Sequence, residues 1–280
     1  MNLVVQGNRL ASTARQSLAK LTDAGNVEPI DDYAWRFDVK KKREHIAAEV
    51  ARFCTAAALD WAWIPKGRRL NDFGLFITDM DSTLINIECI DEIADMQGVK
   101  DEVTAITELA MHGEIDFRTS LERRVSLLSG LHEQALAKVY AKRLRLNPGA
   151  ETLMASLKAA GVRTALVSGG FDYFTDHMQR ELGFDYAWAN ELEVANGCLT
   201  GRVTGSVIDA QAKADHLIAT RNALGLAPEQ VLCCGDGAND IPMFRAAGFS
   251  IAYRPKPALR EVADCYLDHV GLEGIVRLFA

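Results

Sequence analysis

The sequence predicts an α/β protein: a parallel sheet with an inserted helical cap, preceded by a small α+β domain. Three observations predict it. Strand-like apolar runs at 74–78, 164–167, 230–234 and 249–252 are separated by helical segments, the pattern of a parallel sheet. Roughly eighty residues lie between Thr83 and Arg163, where a crossover needs only about a dozen or somewhat more, so the surplus reads as an insertion. Residues 1–64 mix strict alternation with helical spacing and read as a unit of their own.

In that first unit Leu3 to Val5 is strand-like, and Ala14, Leu18 and Leu21 follow helical spacing. Tyr33, Trp35, Phe37 and Val39 alternate as in a half-buried strand. Ile46, Val50, Phe53 and Ala57 recover a helical face, and Trp61 and Trp63 alternate again. The expected order is β-α-β-α-β, with helices on one face of a small sheet. Pro65-Lys66-Gly67-Arg68-Arg69 reads as a linker, which places domains at 1–68 and 69–280. The insertion, about 85–148, reads as helices at 87–96, 102–111, 117–128 and 133–143 lying over the strand ends. Residues 192–200 contain Asn196-Gly197 between alternating segments and predict a hairpin.

Composition narrows the function. Apolar residues make up 49% of 280, ample for a packed core. The net charge of −7, with no basic stripe, argues against a nucleic-acid partner. Lys40-Lys41-Lys42-Arg43, the densest basic run, reads as a solvated turn. Six cysteines with no Cys-x-x-Cys pair fit a reducing compartment. The start, Met1 to Gly7, resembles no leader, and no stretch is apolar enough to span a bilayer, so a cytoplasmic protein without membrane contact is expected.

The chemistry concentrates where strands end. The run from Gly74 to Ile77 breaks into Asp79-Met80-Asp81-Ser82-Thr83-Leu84. Open parallel sheets bind ligands at those ends, and paired aspartates repel unless a cation or a shared proton intervenes. Asp79 and Asp81 are expected to diverge where the strand breaks, which suits a nucleophile and a general acid; the competing role is a cap on the next helix, served by Asp81 or Ser82. Gly235-Asp236-Gly237-Ala238-Asn239-Asp240 follows a second strand and adds two carboxylates. On its own it also suits a glycine-rich turn with a cap, but together the two motifs call for a cation, and oxygen ligands favour Mg²⁺ over zinc. Ser168-Gly169-Gly170 is a third strand-to-helix turn, offering a hydroxyl and amides to an anion. Lys213, within the expected helix at 209–224, reads by itself as solvated. None of the six histidines falls in a metal-ligand pattern.

The order Asp-x-Asp-x-Thr, Ser-Gly-Gly, Lys, Gly-Asp-Gly-x-Asn-Asp resembles the haloacid dehalogenase (HAD) superfamily of phosphatases, whose sheet is Rossmann-like. With Glu88 and a helical cap, residues 74–275 look like its phosphoserine phosphatases, and the first 64 residues loosely resemble a degenerate ACT-like region of bacterial forms. The resemblance implies a Mg²⁺-dependent hydrolysis of O-phospho-L-serine, the final step of serine biosynthesis, with Asp79 as nucleophile and Asp81 as acid and base. It implies that Asp79, the main-chain carbonyl of Asp81 and Asp236 hold the metal, supported by Asn239 and Asp240. Ser168, the Gly169 amide and Lys213 would hold the phosphoryl oxygens.

Glu88 and Arg124 match the family positions that pair with the substrate's ammonium and carboxylate. Arg124 follows Phe117 by seven residues and so borders the apolar stripe of Phe117, Leu121 and Val125, where a stem lying along the stripe edge is the alternative. Glu88 is equally an acid favoured near a helix start. Met111 and Phe117 match pocket-lining positions and are otherwise ordinary core residues. The expected partner is a small phosphorylated amino acid, with a homo-oligomer left open. Another small phosphate ester, such as homoserine phosphate, is the alternative substrate; a regulatory protein that only binds phosphate is the alternative class.

Overall fold

A computed structural model of the chain describes residues 1–7, 11–40 and 44–280. Lys41, Lys42 and Arg43 of the basic run lie outside the described residues. In the first unit, β1 (Asn2–Gln6), α1 (Ser12–Thr22), β2 (Asn26–Asp31), β3 (Ala34–Asp38), α2 (Glu44–Ala56) and β4 (Asp60–Ile64) build an antiparallel sheet of order β2-β3-β1-β4. The order is β-α-β-β-α-β, one strand more than the sequence suggests. The extra strand, β2, is Asn-Val-Glu-Pro-Ile-Asp, mostly exposed, and carries Pro29. Proline is tolerated at that sheet edge because no inner neighbour needs its missing N–H.

Alternation along β1 sorts its side chains between two cores. Leu3 and Val5 pack with Leu18, Val50 and Cys54 of the two helices. Val4, with Ala62 and Ile64 of β4, faces the other way into the large core, which includes Phe73, Ile275 and Leu278. The helices therefore cover one face of this sheet, and the rest of the molecule covers the other. Asp60 stitches the seam: its carboxylate accepts the amides of Asp268, His269 and Val270 at 2.9, 2.9 and 3.0 Å.

The second unit begins with β5 (Leu75–Thr78), every residue of which is buried. Then come α3 (Cys89–Gln97), α4 (Lys100–Met111), α5 (Phe117–Ser126) and α6 (Gln134–Lys142), the inserted cap. Ile85 and Leu146 form a bridge where the two connections to the insertion meet. The chain continues through α7 (Ala150–Ala159), β6 (Arg163–Phe171), α8 (Asp172–Leu182), β7 (Tyr186–Ala195), β8 (Cys198–Thr204), α9 (Ala210–Ala223), β9 (Val231–Gly235), α10 (Ile241–Ala246), β10 (Phe249–Tyr253), α11 (Pro257–Arg260), β11 (Cys265–Leu267) and α12 (Gly274–Leu278).

The second sheet has the order β11-β10-β9-β5-β6-β7-β8, and every neighbouring pair is parallel except β7–β8. Strand β7 starts earlier than the predicted hairpin, because its first half pairs with β6 and only its second half with β8. Asn196 and Gly197 both take positive φ, 52° and 76°, as the tight hairpin requires. Strand β11, three residues at the far edge, is too short for its alternation to be read. The chain leaves β5 for β6 on one side and later returns to β9 on the other. The crevice at the carboxyl ends of β5 and β9 is therefore a topological switch point, the place where such sheets bind ligands. Among the described residues, no helix is long and apolar enough to cross a membrane.

Candidate active site

Asp79 leaves the end of β5 with its amide donated to Cys234 O of β9 at 3.0 Å, which ties the two strand ends together. The turn that follows folds back sharply: the amides of Leu84 and Ile85 both reach Met80 O, at 2.8 and 3.0 Å, and Ser82 takes φ 56°. The two aspartates diverge as expected, but because the chain leaves the extended conformation at this turn; alternation alone would place residues two apart on one face. Asp79 Oδ2 lies 2.7 Å from Lys213 Nζ and 3.4 Å from Asn239 Nδ2, and Oδ1 accepts the Met80 amide at 2.7 Å. Asp81 Oδ2 instead accepts the Cys89 amide at 3.1 Å, while its Oδ1 is buried without a hydrogen-bond partner. A Cβ on Gly170 would stand 3.0 Å from Asp81 Oδ2, so this carboxylate abuts the Ser168-Gly169-Gly170 turn.

Lys213 is not solvated. It is 1% exposed, and it bridges Asp79 and Asp240, the latter at 2.8 Å. Burial opposes its charge, but the Asp240 and Asp79 carboxylates outweigh that and raise its pKa. Asp240 is fully engaged. One oxygen takes Lys213, and the other accepts the amides of Asp236 and Gly237 at 3.1 and 3.2 Å. A Cβ on Gly235 would come within 2.3 Å of that second oxygen, so the turn needs glycine there to admit the Asp240 carboxylate. Asp236 is held more loosely, by Thr83 Oγ1 at 3.2 Å and Lys256 Nζ at 3.4 Å.

Asp79, Asp236 and Asp240 bring carboxylate oxygens within 4.8 Å of one another, a group able to hold a metal ion. The donors are all oxygen, which suits a hard divalent cation. Asp79 and Asp236 have oxygen capacity to spare, whereas Asp240 orients the other groups. The Asp81 carboxylate stands outside this group, and only its main-chain carbonyl belongs to the expected ligand set.

Crowding shows in the acidities. Burial, then Glu88 and Asp79, push the Asp81 carboxyl well above its ordinary value. Burial and Asp79 raise Asp236, against Lys256 and Thr83. Burial also raises Glu88, opposed chiefly by Lys256 and the Ser82 hydroxyl. A buried carboxyl that resists ionisation is suited to donate a proton.

At the end of β6, Ser168 is fully buried and its Oγ accepts the Gly170 amide at 2.9 Å. Asn190 braces this turn: it donates to Gly169 O and accepts from the Ile208 amide, both at 2.8 Å. The Phe117 ring closes over it, with Cζ 3.3 Å from where a Cβ on Gly169 would stand. The cap supplies charges of both signs. Glu88 precedes α3 and accepts the Ser82 hydroxyl at 2.8 Å. Arg124 is half-buried on α5, with Nε donated to Ser120 O at 3.3 Å; burial lowers its pKa while Asp91, Glu88 and Asp81 oppose, so it faces the acidic cluster. Met111, at the end of α4, is 74% exposed and is not brought into this cluster.

Four contributors were given no role of their own by the sequence: the Thr83 hydroxyl, the Cys89 amide, Asn190 and Lys256. Thr83 closes the Asp-x-Asp-x-Thr motif, and its hydroxyl was the available signal. Asn190 becomes visible only when β6 and β7 lie side by side, Lys256 when β9 and β10 do, and the Cys89 amide when α3 starts beside Asp81.

The family model for haloacid dehalogenase-like hydrolases matches residues 76–245. A curated phosphoserine phosphatase of Albidiferax ferrireducens is 50% identical over 216 residues, covering 75% of this chain and 91% of the relative. One from Archaeoglobus fulgidus is 43% identical over 90% of this chain and 73% of its own length. Among solved structures, a HAD family hydrolase of Salmonella enterica serovar Typhi superposes with a TM-score of 0.90 at 30% identity, over 99% of this chain and 97% of that one. A probable phosphoserine phosphatase of Vibrio cholerae gives 0.86 at 37% identity, over 99% and 86%. The motif order, the fold and these similarities agree: the chain belongs to the haloacid dehalogenase-like hydrolase family.

Proposed function

We propose that the protein is a Mg²⁺-dependent phosphatase that hydrolyses O-phospho-L-serine to L-serine and phosphate through an aspartyl-phosphate on Asp79. The observation that carries this reading is the division of labour between two neighbouring carboxyls. Asp79 is held and oriented by Lys213 and Asn239, while burial, Glu88 and Asp79 raise the pKa of Asp81 well above the usual carboxylate range. Relatives named phosphoserine phosphatase, and a structure described as a substrate-bound phosphoserine phosphatase complex at 42% identity and a TM-score of 0.70, support the substrate.

In this mechanism Ser168, the Gly169 amide and Lys213 hold the phosphoryl oxygens in line with Asp79. Asp79 attacks phosphorus as the seryl oxygen leaves with the Asp81 proton. Asp81, now ionised, takes a proton from the water that cleaves the aspartyl-phosphate. Asp79, the Asp81 carbonyl and Asp236 would hold Mg²⁺, which when bound offsets the repulsion between carboxylate and phosphate. Glu88 pairs with the substrate ammonium and Arg124 with its carboxylate, while Phe117 shields the phosphoryl turn. Met111 is assigned to the pocket lining, where its exposed helix end would have to fold inward. The six free thiols support a cytoplasmic setting, consistent with a place at the end of serine biosynthesis.

Phosphate release from a panel of phosphorylated amino acids and small phosphate esters, with and without Mg²⁺, tests the proposal. O-phospho-L-serine should lead the panel and require the metal. Preference for homoserine phosphate, or equal rates after chelation, would contradict it.

A further inference from the structure

Lys213 is consumed by Asp79 and Asp240, which leaves, besides Asp81, the two acids Asp236 and Glu88 to be balanced by something else. Lys256 balances both. Its Nζ lies 3.4 Å from Asp236 Oδ2 and 3.8 Å from Glu88 Oε1. Among the described residues, no other cation stands within 4.0 Å of either carboxylate.

The backbone of Lys256 is anchored while its side chain reaches solvent. Its amide donates to Asp236 O at 2.8 Å, and prolines 255 and 257 flank it. The side chain is 56% exposed, and both ionic contacts are longer than a good charge-assisted hydrogen bond. Such a lysine is anchored at the right place yet free to swing its ammonium into solvent.

Its two partners carry distinct tasks. Asp236 is a metal ligand and Glu88 the acceptor for the substrate's ammonium, in the reading given under Proposed function, on which this inference rests. We infer that Lys256 is a resident counter-cation, a positioning residue that occupies the metal side of Asp236 and the ammonium side of Glu88 until both ligands arrive. A divalent cation at Asp236 repels the Lys256 ammonium, which then leaves Glu88 as well. Metal binding thus prepares the subsite for an ammonium-bearing ligand, and the two bindings are coupled through one side chain.

Calorimetric titration of Mg²⁺ into the full-length protein without any phosphate ester tests this. Lys256→Gln should bind Mg²⁺ about three- to tenfold more tightly than the wild type, because one competing charge is gone. Lys256→Arg should bind as the wild type does. Equal or weaker binding by Lys256→Gln overturns the inference; Lys256→Met serves the same purpose if the glutamine variant fails to fold. Asp236→Asn separates the two readings. Loss of Mg²⁺ binding there, with Lys256→Gln unchanged, removes only the role of Lys256. Retention of Mg²⁺ binding there removes the proposed metal site and the inference with it. Titration of L-serine with and without Mg²⁺ reads the coupling: Mg²⁺ should tighten L-serine binding more in the wild type than in Lys256→Gln, and no difference between the two proteins overturns the coupling.

Discussion

Among the described residues, two regions bring possible ligands close enough together to suggest a metal: the seam between the two sheets, with buried Asp60, half-buried Asp268 and exposed His269, and the strand ends, with Asp79, Asp236 and Asp240 all buried. Spacing does not separate them; the state of each oxygen does. Asp60 is 1% exposed, yet three amides supply its carboxylate with charge-assisted hydrogen bonds, and Asp268 is taken by both terminal nitrogens of Arg260 at 2.6 and 2.8 Å. Burial pushes the Asp60 carboxyl up and the amides pull against it. The seam is complete without a cation. At the strand ends, Asp81 keeps an unpartnered buried oxygen, and Asp79 raises the pKa of both Asp81 and Asp236. A saturated buried acid is a fastener, and a crowded one holds unspent binding capacity.

The largest expected effect comes from the crowded region. Asp79→Asn should lower phosphatase turnover by at least about a thousandfold while leaving the circular dichroism spectrum unchanged, because an amide is no nucleophile. Arg124→Ala should cost about a hundredfold in kcat/KM for O-phospho-L-serine, because a buried carboxylate pair is lost, and far less for an aryl phosphate. Equal losses on both substrates would remove its role as carboxylate partner.

Two substitutions of the same kind then test the comparison itself, by denaturant midpoints of the metal-free protein. Asp60→Asn should destabilise by roughly 2 kcal/mol, because one amide oxygen cannot serve three N–H donors and its own N–H₂ confronts them. Asp81→Asn should stabilise by about 1 kcal/mol at neutral pH, because it removes a carboxyl whose ionisation the folded site resists. The Asp81 pKa is raised in the folded protein. The stability linked to its proton is therefore fully present below the unfolded value, about 3.9, and is lost as pH rises through the folded value. The advantage of Asp81→Asn should accordingly shrink as the solution is acidified. Destabilisation by both substitutions at neutral pH would mean that the two regions do not differ in the way described.

The strand ends were legible because chemistry and periodicity coincide there. An apolar run broken by Asp79 and Asp81, or by Asp236 and Asp240, marks both a strand end and a charge problem. Lys213 was not legible alone, because a helix at 209–224 gives no hint that its lysine is buried; only the motif order pointed to it. The seam was invisible. Asp60 looks like a polar residue before Trp61, and its partners lie more than two hundred positions along the chain. Strand β2 escaped because an exposed edge strand with a proline has neither alternation nor apolar content. Met111 shows the reverse limit, since a motif position places it in the pocket while the helix end leaves it in solvent.

In the proposed reaction Asp79 carries the phosphoryl group. Acid quenching of the enzyme during steady turnover of O-phospho-L-serine with Mg²⁺, followed by peptide mass mapping, tests it most directly. A base-labile phosphoryl group should appear on the peptide containing Asp79 and be absent from the Asp79→Asn variant. A phosphoryl group on any other residue, or full turnover by Asp79→Asn, would contradict it.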